Sequence, residues 1–508
     1  MSSALSVLVL PTTHLRPAAP DWPAPPMPRD QVLLSLGLGA DSAYILWRLI
    51  TDPIRHGLRP DLSNLTVVTA MTGDEWSDTI ELANRFLLPL MAENGVRYVQ
   101  LARGGRRDSD GYLVLSDSRH PQRVEPAGPW KLSDELRTSG TLPLFSAGKH
   151  LCSIKYKGWV IDRWAAENMA PGYRHILGYD AGEREVKRAE KDRRFTTNGR
   201  RPWYPLISWQ MTRPDLLAEL LRIFGVDWPK SYCVECPFPS VAASRDAHLE
   251  RARRLPREAA MAACLEWTAH ALNPLTTLYS GTSLARLLAE DGNTAALAAA
   301  EEQLESVKWS VFKVRRLLTA RRSAWCMDRH GPRCEACAGA GREVRCAACR
   351  ALANQRCSPA ERTPRCTDAT RKGTVWRSLE RVGLPRSRAA ASGMLHRAAV
   401  RQGLDVEVEE PAGVERVWLL RRGSDYPAAE MFFVAVPDVV EEKAMPGFAA
   451  LWEAHMARQR RVATIAPASL RTDSGGRRMR RGPGGAACWL RHRRHPDRRA
   501  YSHTDRQA

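Results

Sequence analysis

Apolar positions between residues 31 and 240 fall into short continuous runs separated by amphipathic stretches. QVLLSL (31–36), NLTVVTAM (64–71) and VRYVQLA (96–102) are too short for helices and rich in β-branched residues. Each predicts a strand covered on both faces. AYILWRLI (43–50) and SDTIELANRFLLPLMAENG (77–95) carry apolar residues at helical spacing, and Gly95 closes the second helix. YRHILGYDAGE (173–183) predicts a fourth strand opening into a polar loop. Strands alternating with helices predict an α/β fold with a mainly parallel, doubly wound sheet. Its ligands would lie beyond the carboxyl ends of the strands.

Beyond about residue 240 the pattern changes. DAHLERARRL, EAAMAACLEWTAHAL, SLARLLAE and the long stretch TAALAAAEEQLESVKWSVFKVRRLLTARR (294–322) predict a helical extension over 241–325. A cysteine-rich segment occupies 326–366. Over 370–463 the pattern predicts a small α+β module: helix TVWRSLERVG (374–383), helix RSRAAASGMLHRAAVRQG (386–403), then a hairpin of LDVEVEE and VERVWLLRR. That order is compatible with a winged helix and nucleic-acid binding. Residues 1–30 form a Pro-rich leader and 464–508 an Arg-rich tail, neither with a periodic apolar face.

Charge sharpens this picture. The 508 residues carry 76 Lys and Arg against 56 Asp and Glu, a formal charge of +20, which favours a polyanionic partner or phosphate-bearing substrates. No apolar run reaches the roughly 18 residues a membrane helix needs, so no membrane partner is expected. Five of the 12 cysteines lie between Cys326 and Cys349. Without a secretory signal, that clustering predicts metal ligation in the reducing cytoplasm rather than disulfides. Cys334, Cys337, Cys346 and Cys349 form two C-x-x-C knuckles, the spacing that tetrahedral structural Zn²⁺ requires.

The densest chemical signal is Ser35-Leu36-Gly37-Leu38-Gly39-Ala40-Asp41-Ser42, between the first strand and the first helix. Glycines there let backbone N–H groups approach a phosphate, the helix N-terminus adds its dipole, and the Ser42 hydroxyl adds a hydrogen bond. The loop lacks the Gly-Lys-Ser/Thr ending of a Walker A motif.

Gly37-Leu38-Gly39-Ala40-Asp41-Ser42 resembles the Ser-Gly-Gly-x-Asp-Ser loop of the PP-loop ATP-pyrophosphatases, within them the phosphoadenosine phosphosulfate (PAPS) reductase family. The first Ser and first Gly of that pattern are absent. Five further blocks follow in the family's order. They are Thr72-Gly73-Asp74-Glu75-Trp76-Ser77-Asp78-Thr79, Cys152-Ser153-Ile154-Lys155-Tyr156-Lys157, Gly178-Tyr179-Asp180-Ala181-Gly182-Glu183-Arg184, Trp203-Tyr204-Pro205-Leu206-Ile207-Ser208-Trp209 and Cys233-Val234-Glu235-Cys236-Pro237-Phe238. The resemblance spans about 31–240 and implies a PP-loop fold, which belongs to the wider HUP-like group. It implies ATP or PAPS, with Mg²⁺, as the bound adenine nucleotide. The nucleotide would be held by Ser35, Gly37, Gly39, Asp41, Ser42, Gly73, Glu75, Lys155, Lys157, Gly178, Asp180, Glu183 and Arg184. Asp180 is alternatively a loop residue satisfying backbone donors.

Cys233 and Cys236 form a C-x-x-C that can bind a metal, ligate an iron–sulfur cluster or act as a redox pair, with Cys152 converging through the fold. Thiolates beside Lys or Arg would have depressed pKa values. In related enzymes cysteines in these places hold a [4Fe–4S] cluster, but here Ser153 stands where a Cys-Cys pair is usual. A reductase without a cluster carries a C-terminal Glu-Cys-Gly, and this chain has none. The resemblance therefore implies catalysis by Cys233, Cys236, Cys152 and Asp41 in one of two chemistries. In one, ATP adenylates an acceptor, with DNA or tRNA favoured by the charge, and sulfur arrives from a donor protein. In the other, a thiol attacks PAPS and sulfite leaves, with an electron-donor protein. The rival expectation is an inactive nucleotide- or nucleic-acid-binding protein.

Overall fold

The structure, a computed structural model, describes residues 22–143, 145–146, 149–194, 199–237, 242–279, 281–322 and 367–465. The two zinc knuckles (Cys334, Cys337, Cys346 and Cys349), the first part of the leader and nearly all of the basic tail lie outside the described residues.

The first sheet has six strands: β1 (Val32–Ser35), β2 (Leu65–Met71), β3 (Arg97–Arg103), β4 (Tyr112–Ser118), β7 (Arg174–Ile176) and β8 (Arg201–Trp203). A two-stranded hairpin, β5 (Phe145–Ser146) and β6 (Lys149–His150), lies between β4 and β7 in the chain. The sheet order is β4-β3-β2-β1-β7-β8. All neighbours are parallel except β3 and β4, so the sheet is mixed with an antiparallel edge. β1 is covered on both faces, as its continuous apolar run predicts. Val32 and Leu34 join one core with Tyr44, Leu46 and Leu216, whereas Leu33 joins another with Val160 and Trp164. The helix predicted over 77–95 forms as Ser77–Leu82 and Leu88–Glu93 around a π-type turn, Ala83–Leu87, and Gly95 adopts φ +59°.

Helices Ala242–Arg254, Pro256–Leu272, Leu284–Glu290 and Thr294–Ser306 form the helical extension. Its Ala- and Leu-rich faces share a core with Trp76, Leu132 and Tyr156 from the first half. Two predicted helices are strands instead. The helix from Thr294 stops at Ser306, and Trp309–Arg322 is strand β9. TVWRSLERVG lies within strand β10 (Thr367–Arg386). β9 runs between β13 (Ala428–Pro437) and β10, and Trp309, Ser310, Val311 and Phe312 are all buried. A central strand covered on both faces loses its alternation, and WSVFKVRRLL then fits a helical template as well as a strand.

The winged-helix expectation is therefore replaced by a six-stranded antiparallel sheet. Its order is β11-β12-β13-β9-β10-β14, with β11 (Glu407–Glu409), β12 (Val414–Leu420) and β14 (Lys443–Ala444). The expected hairpin is β11–β12, and the expected second helix is Arg388–Gln402, capped by Ser387 and ended by Gly403. Arg322 pairs with Thr367 across β9 and β10, so the cysteine-rich segment is inserted between two facing strand ends. The chain forms two compact units, Met1–Trp452 and Glu453–Ala508; the second begins within the helix Phe448–Ile465. Among the described residues no helix is long and apolar enough to cross a membrane.

Candidate functional site

The glycine loop leaves the carboxyl end of β1 and enters helix α1 (Ala40–Thr51). β1 pairs with β2 on one side and β7 on the other, so the chain departs in opposite directions from this point. Such a switch in strand order opens a crevice above the sheet. Gly39 is the N-cap residue of α1 and provides no side-chain cap. The amides of the first helical turn thus have no intrahelical acceptor and present partial positive charge. Ser42 accepts from Gly37 N at 3.1 Å and donates to the Gly39 carbonyl at 3.2 Å, which closes the loop on itself. Leu38 takes the left-handed conformation, φ +58°, and is held there by burial and by Trp228 Nε1 donating to its carbonyl.

The loop after β7 closes the other wall. A Cβ on Gly178 would lie 3.1 Å from the Asp41 Cβ and 3.3 Å from Ser42 N, so a side chain here would crowd the start of α1 and glycine suits the approach. Arg213 donates to both carboxylate oxygens of Asp41 at 3.0 Å. Burial raises the Asp41 pKa, Arg213 opposes that, and Asp180 adds to it. Asp180 itself accepts from Gly182 N at 2.8 Å, the loop-forming role that sequence left as an alternative.

A thiol centre lies beside this loop. Cys233 Sγ is 3.2 Å from Thr72 Oγ1, and the Cys233 backbone pairs with that of Glu75 in an isolated antiparallel bridge. The Glu75 carboxylate accepts from Thr72 N, Thr72 Oγ1 and Gly73 N, and Lys157 Nζ stands 3.8 Å from it. Burial opposes the charge on Lys157, yet Cys233, Glu75, Cys236 and Cys152 together hold its pKa above the ordinary value. One cation is therefore within electrostatic reach of all three thiols. The expected depression of thiol pKa does not follow, however. Burial pushes Cys233 well above the usual range against the pull of Lys157, and it also raises Cys152.

One short segment joins the two features. Ser231 Oγ donates to the Gly37 carbonyl at 2.7 Å, and a Cβ on Gly39 would lie 3.1 Å from the Ser231 Cβ. Two residues later Cys233 touches Thr72, and Val234 N donates to the Asp74 carbonyl at 2.8 Å. Consecutive Cα atoms are about 3.8 Å apart, so Ser231 and Cys233 are at most about 7 Å apart along the backbone. Arg251 anchors the segment by donating to the Lys230 carbonyl and to Asp78, packed between the Trp76 and Tyr232 rings.

Several expected ligand residues are engaged elsewhere. Lys155 is paired with Glu135 at 2.7 Å. Glu183 and Arg184 are exposed on a helix, and Glu183 pairs with Lys187. Ser35 faces His175 Nε2 at 2.8 Å; Arg200 donates to His175 Nδ1, which leaves Nε2 as the donor to Ser35. Arg213, Ser231 and the buried acids Asp74 and Glu235 were not singled out from sequence. Arg213 and Ser231 sit in polar stretches without a motif, and their partners are about 170 and 190 residues away. Asp74 and Glu235 lay inside the quoted blocks, but nothing in the sequence showed that both would be buried.

Comparison with known protein families, curated proteins and solved structures finds no match to this chain. Among the described residues, no group of three or more His, Cys, Asp or Glu is placed to hold a metal ion. Among the described residues, Cys264 is the one further cysteine that could complete a four-thiolate [4Fe–4S] site with Cys152, Cys233 and Cys236. Cys264 donates instead to the Ala300 carbonyl inside the helical core, so the described thiols do not fit that cofactor. Mg²⁺ asks less of the protein, one or two carboxylates beside substrate phosphates. Asp41, with Asp180 in electrostatic range, fits that requirement.

Proposed function

We propose that the chain is a PP-loop enzyme of the PAPS-reductase type that binds an adenine nucleotide above β1 and acts on it through Cys233. The observation that carries this reading is the segment Ser231–Cys233, which contacts the glycine loop at one end and the Thr72–Glu75 turn at the other. In this reading the open amides of α1 and Gly39 receive phosphate oxygens, and Arg213 exchanges Asp41 for phosphate as the nucleotide enters. Asp41 and Asp180 would hold Mg²⁺, which would neutralise charge on the phosphates. Lys157 stabilises whichever of the three thiols ionises.

With ATP, an acceptor oxygen attacks the α-phosphate and pyrophosphate leaves. The terminal sulfur of a persulfide on Cys233, supplied by a donor protein, then displaces AMP from the adenylated acceptor; the Cys236 thiolate attacks Cys233 Sγ to release the thiolated acceptor, and the resulting disulfide is reduced by an electron-donor protein. The charge of +20 favours a nucleic acid as that acceptor. The gathering of three thiols around Lys157 also supports a second chemistry. The Cys233 thiolate attacks the sulfonate of PAPS and adenosine bisphosphate leaves. Cys236 then attacks the S-sulfonate, sulfite leaves, and the resulting disulfide is reduced by an electron-donor protein.

The test is turnover of the purified chain with Mg²⁺. Pyrophosphate and AMP from ATP identify the first chemistry, and sulfite from PAPS with a dithiol reductant the second. Binding of either nucleotide without either product would leave a binding protein, and binding of neither would overturn the reading.

A further inference from the structure

A second site lies away from the glycine loop, where the antiparallel sheet meets the end of helix Pro256–Leu272. A cavity of about 370 Å³ opens there, inside the roughly 300–1,000 Å³ span of small-molecule sites. Among the described residues, its apolar lining includes Leu272, Val314, Val375, Leu379 and Met445, and its charged lining is Arg316, Lys372 and Arg377, with no acidic side chain.

The charges around this cavity are unbalanced. Arg316 is buried and paired with the buried Glu430. Arg377 makes no ion pair among the described residues, although burial opposes its charge. Lys443 lies opposite Leu379 in the β10–β14 register and donates to the Ser139 carbonyl. Burial first, then Arg377 and Arg106, push its pKa down to about 7 against the pull of Glu441, whose carboxylate Arg106 already binds. Among the described residues, Arg316, Lys372 and Arg377 thus line one concave surface, and Glu430 is the one carboxylate paired with any of them. Like charges crowded in partly buried surroundings repel one another, and an anion placed among them relieves that repulsion.

We propose that this cavity binds a phosphate ester carried on an apolar body, the chemistry of a nucleotide. The Arg377 fork offers two parallel N–H donors to phosphate oxygens, Lys372 adds a point charge, and the part-exposed Val375 and Met445 side chains take the base. This site is independent of the nucleotide site above β1. Both a free mononucleotide and one unit of a polynucleotide present the same chemistry, and the experiment separates them.

AMP and a twelve-residue oligothymidylate are titrated calorimetrically into the full chain carrying Gly39→Val, so that the loop site does not contribute. The expected result is one equivalent of AMP bound, with affinity falling about tenfold or more when Arg377→Gln is added, the loss typical of a charge-assisted hydrogen-bond pair. Displacement of AMP by the oligonucleotide at lower concentration assigns the site to a polynucleotide, and failure to displace it assigns the site to a mononucleotide. Where Arg377→Gln unfolds the chain by thermal melting, the exposed Lys372→Gln replaces it, with a smaller loss in the same direction. Where Gly39→Val does not fold, the wild type is titrated, and Arg377→Gln is expected to remove one AMP equivalent. No binding of either probe, or binding unchanged by both substitutions in folded protein, overturns the proposal.

Discussion

Asp74 offers a quantitative check on how the thiol centre is built. Its carboxyl is buried; Oδ2 accepts from Ser133 N at 2.7 Å, whereas Oδ1 has no partner. Burial lifts its pKa from 3.8 to about 6, the Ser133 hydrogen bonds oppose this, and Glu75 adds to it. Folding therefore favours the protonated acid. The native state binds more protons than the unfolded chain between these values, so stability falls as pH rises through that window. The gap is worth about 3 kcal/mol in total, of which about 2 kcal/mol falls between about pH 4.5 and pH 7.5. Asp74→Asn keeps an oxygen for Ser133 N and removes the titration. Urea unfolding followed by tryptophan fluorescence, with Trp76 close by in the fold, should show the variant gaining about 2 kcal/mol on the wild type between about pH 4.5 and pH 7.5. Parallel pH profiles for the two proteins would refute the burial argument.

Two further predictions concern charge and metal. Lys157→Met should move the pH at which Cys233 reacts with iodoacetamide upward, because the cation that opposes its burial is lost; an unmoved pH–rate profile would remove Lys157 from the centre. Replacing Cys334 and Cys337 by Ser should release about one Zn²⁺ per chain and expose 323–366 to protease, while ATP and PAPS affinity stay unchanged. Full zinc content in that variant would contradict a structural knuckle.

The four central strands of the α/β half were legible because they are short apolar runs and the helices between them are amphipathic; the edge strands β4 and β8, which lack such a run, were not read. Leu65–Met71 is buried along its whole length and read as such. The antiparallel half was misread where this correspondence fails. The strand containing Val311, Phe312 and Val314 is covered on both faces, and the TVWRSLERVG strand mixes charge with apolar residues as an amphipathic helix would. At the site, residues fixed by close backbone approach, such as Gly39 and Gly178, were visible as motif glycines. Side chains whose roles depend on distant partners were not. Lys155 and Lys157 sit in one block, yet a helical turn sends one to Glu135 and the other to the thiols. Cys233 looked activated by neighbouring cations, and its burial in the fold, with Glu75 and Cys236 beside it, reverses that balance.

The central claim is that the glycine loop and Cys233 belong to one site. Alkylation of Cys233 by N-ethylmaleimide, read by peptide mass spectrometry with and without saturating ATP or PAPS, tests it directly. The account predicts that nucleotide slows labelling of Cys233 in the wild type and gives no protection in Gly39→Val, where the added side chain meets Ser231. Nucleotide that binds the wild type tightly while Cys233 is labelled at an unchanged rate would contradict it.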